Sequence, residues 1–465
     1  MVMRKPALLL RRLFHDKRGL SAVTVAVSMP VLFGVAGLGV DTGLWYAMKR
    51  QNQSAADAAA LSAAYEVIAG NTDVTTNLTP AASEAATRNN YGGTTPVVTY
   101  PYSDAVVTGG VKVTLSQTQN AWFSSWFPAF SAFTIANEAV AAVSHLPPVC
   151  MIALGRNPPP NGTPNLNDAV NLAGNPTINA PTCTIVSDSD SSSAFHLQGS
   201  ATINAATLIT PGEISHTGAA YTINLGYPAQ TGANLVPDPY ASTLTHANFL
   251  TNGLSTASPC TSSTVGGITT YTNPGSYKPG CVIAGGLSIK NSTVNLSPGT
   301  YWLTGALNLQ SGSGAVLQCT ACTNGGAGVT VILTAPPGGG TVGTMSLASN
   351  AVLNLNAPAA TSCSNCSFAG MVLIQDSNGL PAADHLPNPD TVSAQANSTE
   401  TLSGLVYFPQ ADVTFQGGPS ATGPQCLVLV TNTLSMQGNP GFATSGCGSL
   451  GLNKLPIVKT VYLAQ

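Results

Sequence analysis

The run GLSAVTVAVSMPVLFGVAGLGV, residues 19–40, holds 22 residues without a charge. At about 1.5 Å of rise per residue it makes roughly 30 Å of helix, the thickness of a bilayer's hydrocarbon core. Its reading as a single uncleaved membrane-spanning helix organises the rest of the chain. A cleaved secretory signal is the rival, but such signals have apolar cores of about 7–15 residues and end in a small-x-small site, and we find none before Lys49.

Upstream lie Arg4, Lys5, Arg11, Arg12, Lys17 and Arg18, six of the 15 basic residues, and only Lys49 and Arg50 lie closely downstream. That asymmetry places residues 1–18 in the cytoplasm and the chain beyond about Asp41 outside. Downstream, Leu44, Trp45, Met48, Ala55, Ala59 and Leu61 carry the apolar periodicity toward Ile68. The alanine-rich stretch QSAADAAALSAA, residues 53–64, favours helix until Gly70. The anchor is therefore expected to continue as one long helix. A short helix over 82–91 and strands over 96–100, 112–116 and 134–143 complete a pilin-like α+β region spanning 41–145. The aromatics of WFSSWFPAF, residues 122–130, are expected beneath that sheet, the membrane interface being the alternative.

Prolines at 147–148 and 158–160 mark residues 146–162 as a linker, and 163–465 as a second domain. From residue 51 onward there are seven Lys plus Arg against 16 Asp plus Glu, which excludes nucleic acid as a partner, since binding it needs clustered cations. Hydrophobic residues make up 44% of the chain, enough to fold, and 47 Gly with 33 Pro describe short strands joined by turns. An imperfect repeat strengthens this reading: Leu307-Asn308-Leu309-Gln310, Leu353-Asn354-Leu355-Asn356 and Val413-Thr414-Phe415-Gln416 each precede a cysteine. Apolar runs come next at 329–333, 371–374 and 427–430. The expected fold is mainly β: a large β-solenoid, right-handed parallel β-helix-like, behind the helix and its α+β region, with a β-sandwich as the competing architecture.

Gly19, the apolar run, Asp41-Thr42-Gly43-Leu44-Trp45-Tyr46 and Gln53-Ser54-Ala55-Ala56-Asp57-Ala58-Ala59-Ala60-Leu61 resemble the TadG-like family of Flp (tight-adherence) pilus assembly proteins. The resemblance is specific over about residues 15–70. It extends more faintly to 145 through Trp122-Phe123 and the alanine-rich strand from Phe133 to Val143. It implies a pseudopilin-like inner-membrane component that supports assembly, anchoring or secretion of an adhesive pilus without chemistry of its own, partnered by other Tad or pilin-like proteins. Gly19, Asp41, Gln53 and Asp57 are the anchor and assembly candidates. Prepilin-type processing after Gly19 would put Thr24 where pilins carry Glu. Asp57 suits a partner's cation or a solvated helix face, and an acid at the position of Asp41 needs no special role. Many TadG-like proteins also carry a metal-adhesion site of the form Asp-x-Ser-x-Ser; Asp188-x-Asp190-x-Ser192 departs from it, and no metal is expected.

All ten cysteines lie beyond the anchor, where an oxidising compartment favours disulfides. Local pairing gives Cys150 with Cys183, Cys260 with Cys281, Cys319 with Cys322, Cys363 with Cys366, and Cys426 with Cys447, connectivity being open. The two Cys-x-x-Cys motifs could instead hold zinc as four thiolates. A thioredoxin-like role lacks its helix and βαβ setting. The histidines show no HxH or HExxH spacing, and no cofactor is implied. Two further readings stay open: a surface adhesin binding glycan or a host surface through the solenoid, and a carbohydrate-active β-helix enzyme using Asp376, Asp384, Asp390 or Asp412.

Overall fold

The computed structural model describes residues 18–464, except 106, 127–130, 146, 156–167, 219, 275, 311–313, 364, 377–389, 396–397, 418–419, 423–425 and 445–458. Of the expected linker, 146 and 156–162 lie outside the described residues, and its range is corrected by Val149–Ala153, a fully buried strand of the second unit; the expected cytoplasmic segment up to residue 17 also lies outside the described residues. The described chain is mainly β behind one long helix, and it divides into two units: Met1–His145 with Lys459–Gln465, and Leu146–Val458.

In the first unit, helix α1 (Arg18–Ala69) is continuous over 52 residues. Its C-terminal half presents Ala55, Ala56, Ala59, Ala60, Ala63 and Ala64, all fully buried, at the spacing that lines one helix face. Side chains this small let the helix lie close on helix α2 (Thr79–Arg88) and on a sheet whose Val111, Val113, Leu115 and Ala141 complete the core. The sheet is antiparallel, β1 (Val97–Tyr102), β2 (Gly110–Asn120) and β3 (Ala132–His145), with Lys459–Ala464 added beside β3. That fourth strand corrects the expected second-domain range of 163–465: Val461 and Leu463 pack on the first unit's core, so the chain's last strand belongs there.

In the second unit nearly every pairing is parallel, and strands pair across an interval of two or three elements to form three rows. One row runs through Cys281–Ile283, Gly299–Leu303, Val329–Leu333, Met371–Gln375, the middle of Thr399–Gly417, the first part of Leu427–Gly438, Val149–Ala153 and the last parts of Thr177–Ser187 and Thr202–Ile209. The chain thus begins this unit in mid-ladder, at Val149–Ala153. It winds to one end at Thr222–Leu225, crosses to the other end at Thr261–Thr272, and winds back until Leu427–Gly438 pairs with its own beginning. In the third row Thr177-Ile178-Asn179, Thr202-Ile203-Asn204 and Thr222-Ile223-Asn224 stack in register, with Asn224 Nδ2 donating to Asn204 Oδ1 at 2.8 Å. At one corner Gly417, Gly438, Gly174 and Gly199 also stack, all at positive φ, and a Cβ on Gly174 would stand 2.7 Å from the Gly438 carbonyl oxygen.

The rows also re-register the sequence repeat. Leu307-Asn308-Leu309 pairs with Met345-Ser346-Leu347, whereas Leu353-Asn354-Leu355 belongs to a different row and pairs with Glu400-Thr401-Leu402. These two rows share the same in-out alternation, so their strands look alike in sequence. The apolar runs are better guides: 329–333, 371–374 and 427–430 do lie in one row. They are apolar throughout because both of their faces are covered. Outside them runs a strap, residues 231–257, whose Val236, Tyr240, Leu244, Phe249 and Leu254 pack on Trp302, Ile332, Ile374, Tyr407 and Val428.

Candidate membrane-boundary site on the long helix

Helix α1 changes character along its length. Val23, Val25, Val27, Met29, Val31, Leu32, Phe33, Val35, Leu38 and Val40 are all exposed, so from 23 to 40 the helix is apolar and uncovered. It is the one helix among the described residues long and apolar enough to cross a membrane. Within that stretch Gly37 is buried, and from there a covered face begins: Gly37, Asp41, Trp45, Met48, Asn52 and the alanines, spaced three or four apart.

Asp41 is the polar centre of this face. Only 1% exposed, it accepts backbone N–H bonds from Trp122 at 3.0 Å, Phe123 at 3.1 Å and Ser124 at 2.7 Å, and a hydroxyl bond from Ser124 Oγ at 2.7 Å. Three successive amides converging on one carboxylate form an anion nest, here filled by the helix's own side chain. Desolvation pushes this carboxyl up, but the donors of Ser124, Trp122 and Phe123 outweigh it and bring its pKa down to about 2. The reading of Asp41 as a boundary acid without a role is therefore corrected: it ties the loop after β2 to the helix. The loop's aromatics are corrected too, because Trp122 is 69% and Phe123 50% exposed instead of lying beneath the sheet. Phe127 and Phe130 lie outside the described residues.

Three turns further on, Gln53 Nε2 donates to Asp57 Oδ1 at 2.9 Å and to the Glu138 carbonyl at 3.1 Å, while Asn137 Nδ2 donates to Gln53 Oε1 at 2.8 Å. Gln53 thus joins α1 to β3 while Asp57 holds the Gln53 amide, and neither is a bare solvated side chain. Gly19 sits in the helical backbone near its start. Sequence reasoning missed Asn137 and Ser124, whose roles come from strand and loop positions remote in the chain. It also missed Asn52, only 1% exposed, whose amide finds no hydrogen-bond partner among the described residues.

The chemistry-bearing residues of the second unit are occupied internally. The structure closes Cys150–Cys183, Cys260–Cys281, Cys319–Cys322 and Cys363–Cys366 as disulfides, so each Cys-x-x-Cys is bonded to itself and not presented as thiolates for zinc. Cys426 is also disulfide-bonded, and Cys447 lies outside the described residues. Asp188, from the string compared with a metal-adhesion site, accepts the Val236 N–H of the strap at 2.9 Å. Asp376 accepts from Thr334 Oγ1 at 2.7 Å and pairs with His246 Nδ1 on the strap at 2.7 Å. Asp412 accepts from Thr433 Oγ1 at 2.7 Å, and burial pushes its pKa up. Asp390 pairs through its backbone with Ala411, and Asp384 lies outside the described residues. Among the described residues no group of three or more His, Cys, Asp or Glu side chains is arranged to hold a metal.

Residues 19–66 match the family model described as "Putative Flp pilus-assembly TadE/G-like". The N-terminal segment is TadE/G-like. The match runs along α1 from its apolar start to the last turn but one, and it includes Asp41, Gln53 and Asp57. It stops short of β1 and of the whole second unit. No curated protein and no solved structure matches the chain.

Proposed function

We propose that this protein is a membrane-anchored structural component of Flp pilus assembly or secretion, without catalytic activity. The observation that carries the reading is the coincidence of the TadE/G-like match with a helix that is uncovered and apolar over 23–40 and built into an α+β unit beyond Asp41. The apolar half holds the protein in the bacterial inner membrane, with the basic N-terminus in the cytoplasm by the positive-inside bias. The outer half offers the pilus machinery or pilin-like partners a platform fixed by Asp41 and Gln53.

The second unit is a three-faced β-solenoid in this reading, supported by the three rows of in-register parallel strands and by an interior filled with stacked aliphatics such as Leu287, Leu307 and Met345. It serves as the interaction domain outside the membrane. Asp188, Asp376 and Asp412 are engaged in holding the strap and the coils, which favours an interaction role over hydrolysis.

Deleting the gene in the native bacterium and restoring the full chain, with surface pili and attachment scored separately, tests this function. Loss of pili, rescued by the full chain, is expected. Normal pili with lost attachment would point to an adhesin whose solenoid binds surface glycan, and no change in either would overturn the pilus reading.

A further inference from the structure

Trp122 and Phe123 are large, apolar and exposed, and their position relative to the membrane helix is set by two contacts. The first is at Gly37, where a Cβ would stand 2.7 Å from Phe123 Cβ and 2.8 Å from Cγ, so only glycine admits the phenylalanine against the helix. The second is the Asp41 nest, which holds the backbone of Trp122, Phe123 and Ser124 one helical turn further out. Gly37 lies inside the uncharged run of 19–40, and one turn of helix is about 5.4 Å. If the run spans the bilayer, the two aromatics sit level with its last turn, beside exposed Leu38 and Val40. That depth is the outer headgroup and glycerol zone, where amphipathic Trp rings partition favourably.

We propose that the Trp122–Phe123 loop is a second membrane-contacting element, a lateral foot that enters the outer interface of the phospholipid bilayer and fixes the depth and rotation of α1. It rests on the membrane-anchor reading above. Asp41 is its positioning residue: by binding three consecutive amides it orients the foot while leaving both ring systems exposed. The occupant of this apolar patch is lipid, since Phe123 seats on Gly37 inside the otherwise uncovered apolar stretch of the span.

The full chain reconstituted in phosphatidylcholine vesicles tests this with lipids brominated either near the glycerol or near the acyl terminus. Shallow bromines should quench the tryptophan fluorescence of the wild type by a larger fraction than that of Trp122→Phe, while deep bromines should quench both equally. Asp41→Ala should lower the shallow quenching toward the Trp122→Phe level without releasing the protein from the vesicles. Equal shallow quenching of wild type and Trp122→Phe, in protein that resists alkaline carbonate extraction, overturns the foot alone. Release by carbonate overturns the anchor, and the foot with it.

Discussion

Asp41 and Glu400 are both nearly shut off from solvent, at 1% and 2% exposure, yet the two units treat their charge in opposite ways. In the first unit four donors converge on Asp41 and its pKa drops to about 2. In the second, Glu400 lines a cavity of about 40 Å³ among Met345, Leu347, Phe408, Phe415 and Phe442. No well-formed hydrogen bond reaches its carboxylate oxygens among the described residues, and burial, outweighing the nearby Ser398 hydroxyl, pushes its pKa up to about 7. Burial alone does not decide the fate of a charge; the supply of donors does. A loop with free amides can supply them, whereas in a ladder the backbone amides are already committed to neighbouring strands.

The comparison makes the interior of the second unit an environment poor in hydrogen-bond donors and filled with aliphatic side chains, and its sharpest test is to open it. Leu353→Ala removes a fully buried side chain in the third row and should lower stability by about 2–5 kcal/mol, read as a shift in the urea midpoint of the detergent-solubilised chain. A loss well under that range would mean that the rows are loosely packed.

Next in size is Glu400→Gln. Because the folded-state pKa is raised from 4.5 to about 7, the unfolded chain ionises first as pH rises. Wild-type stability should therefore be greatest below pH 4.5, fall as pH rises toward about 7, and level off above it. The shift corresponds to roughly 3 kcal/mol at most. Glu400→Gln should remove the fall, raising the thermal midpoint at pH 8 and leaving it nearly unchanged at pH 4. A wild-type midpoint independent of pH across this window would show that Glu400 has found a partner.

The smallest effect on global stability is expected from Asp41→Ala, because the tie it breaks is peripheral to the alanine core. Its signature is local: faster hydrogen exchange at the amides of Trp122, Phe123 and Ser124 at neutral pH. Here the sign is reversed from Glu400. The depressed pKa means that the contribution of Asp41 is present above the ordinary carboxylate range and is lost only as pH falls through about 2. Unchanged exchange in the variant would show that the loop is held by the Gly37 contact alone.

Several features are legible in the sequence because they are properties of consecutive residues. The uncharged run, the alanine face of α1 and the doubly buried apolar strands each leave a local pattern. Gly37 leaves none that distinguishes it from Gly34 or Gly39, neither of which has a neighbour within 4 Å of a Cβ; only the seating of Phe123 singles it out. The strap is equally hidden, since Val236, Tyr240 and Phe249 are scattered through a turn-rich stretch and become a stripe only when laid across the strand row. The strand repeat drawn from Leu307 and Leu353 joins residues of different rows, because the in-out alternation it rests on is common to both of those rows.

By itself the sequence determined the membrane-compatible length of its first helix, the basic side of that helix, the β character of the chain beyond it and the kinship of residues 19–66. These rest on composition and short-range periodicity, which act before any distant contact forms. Only the tertiary structure decided that Asp41 would be capped by amides 81 to 83 residues away, that Lys459–Ala464 would return to β3, and that Leu427–Gly438 would close against Val149–Ala153. The physical reason is shared: backbone N–H groups are the donors in each of these joins, every residue but proline carries one, and so the side-chain sequence does not announce which of them will be met.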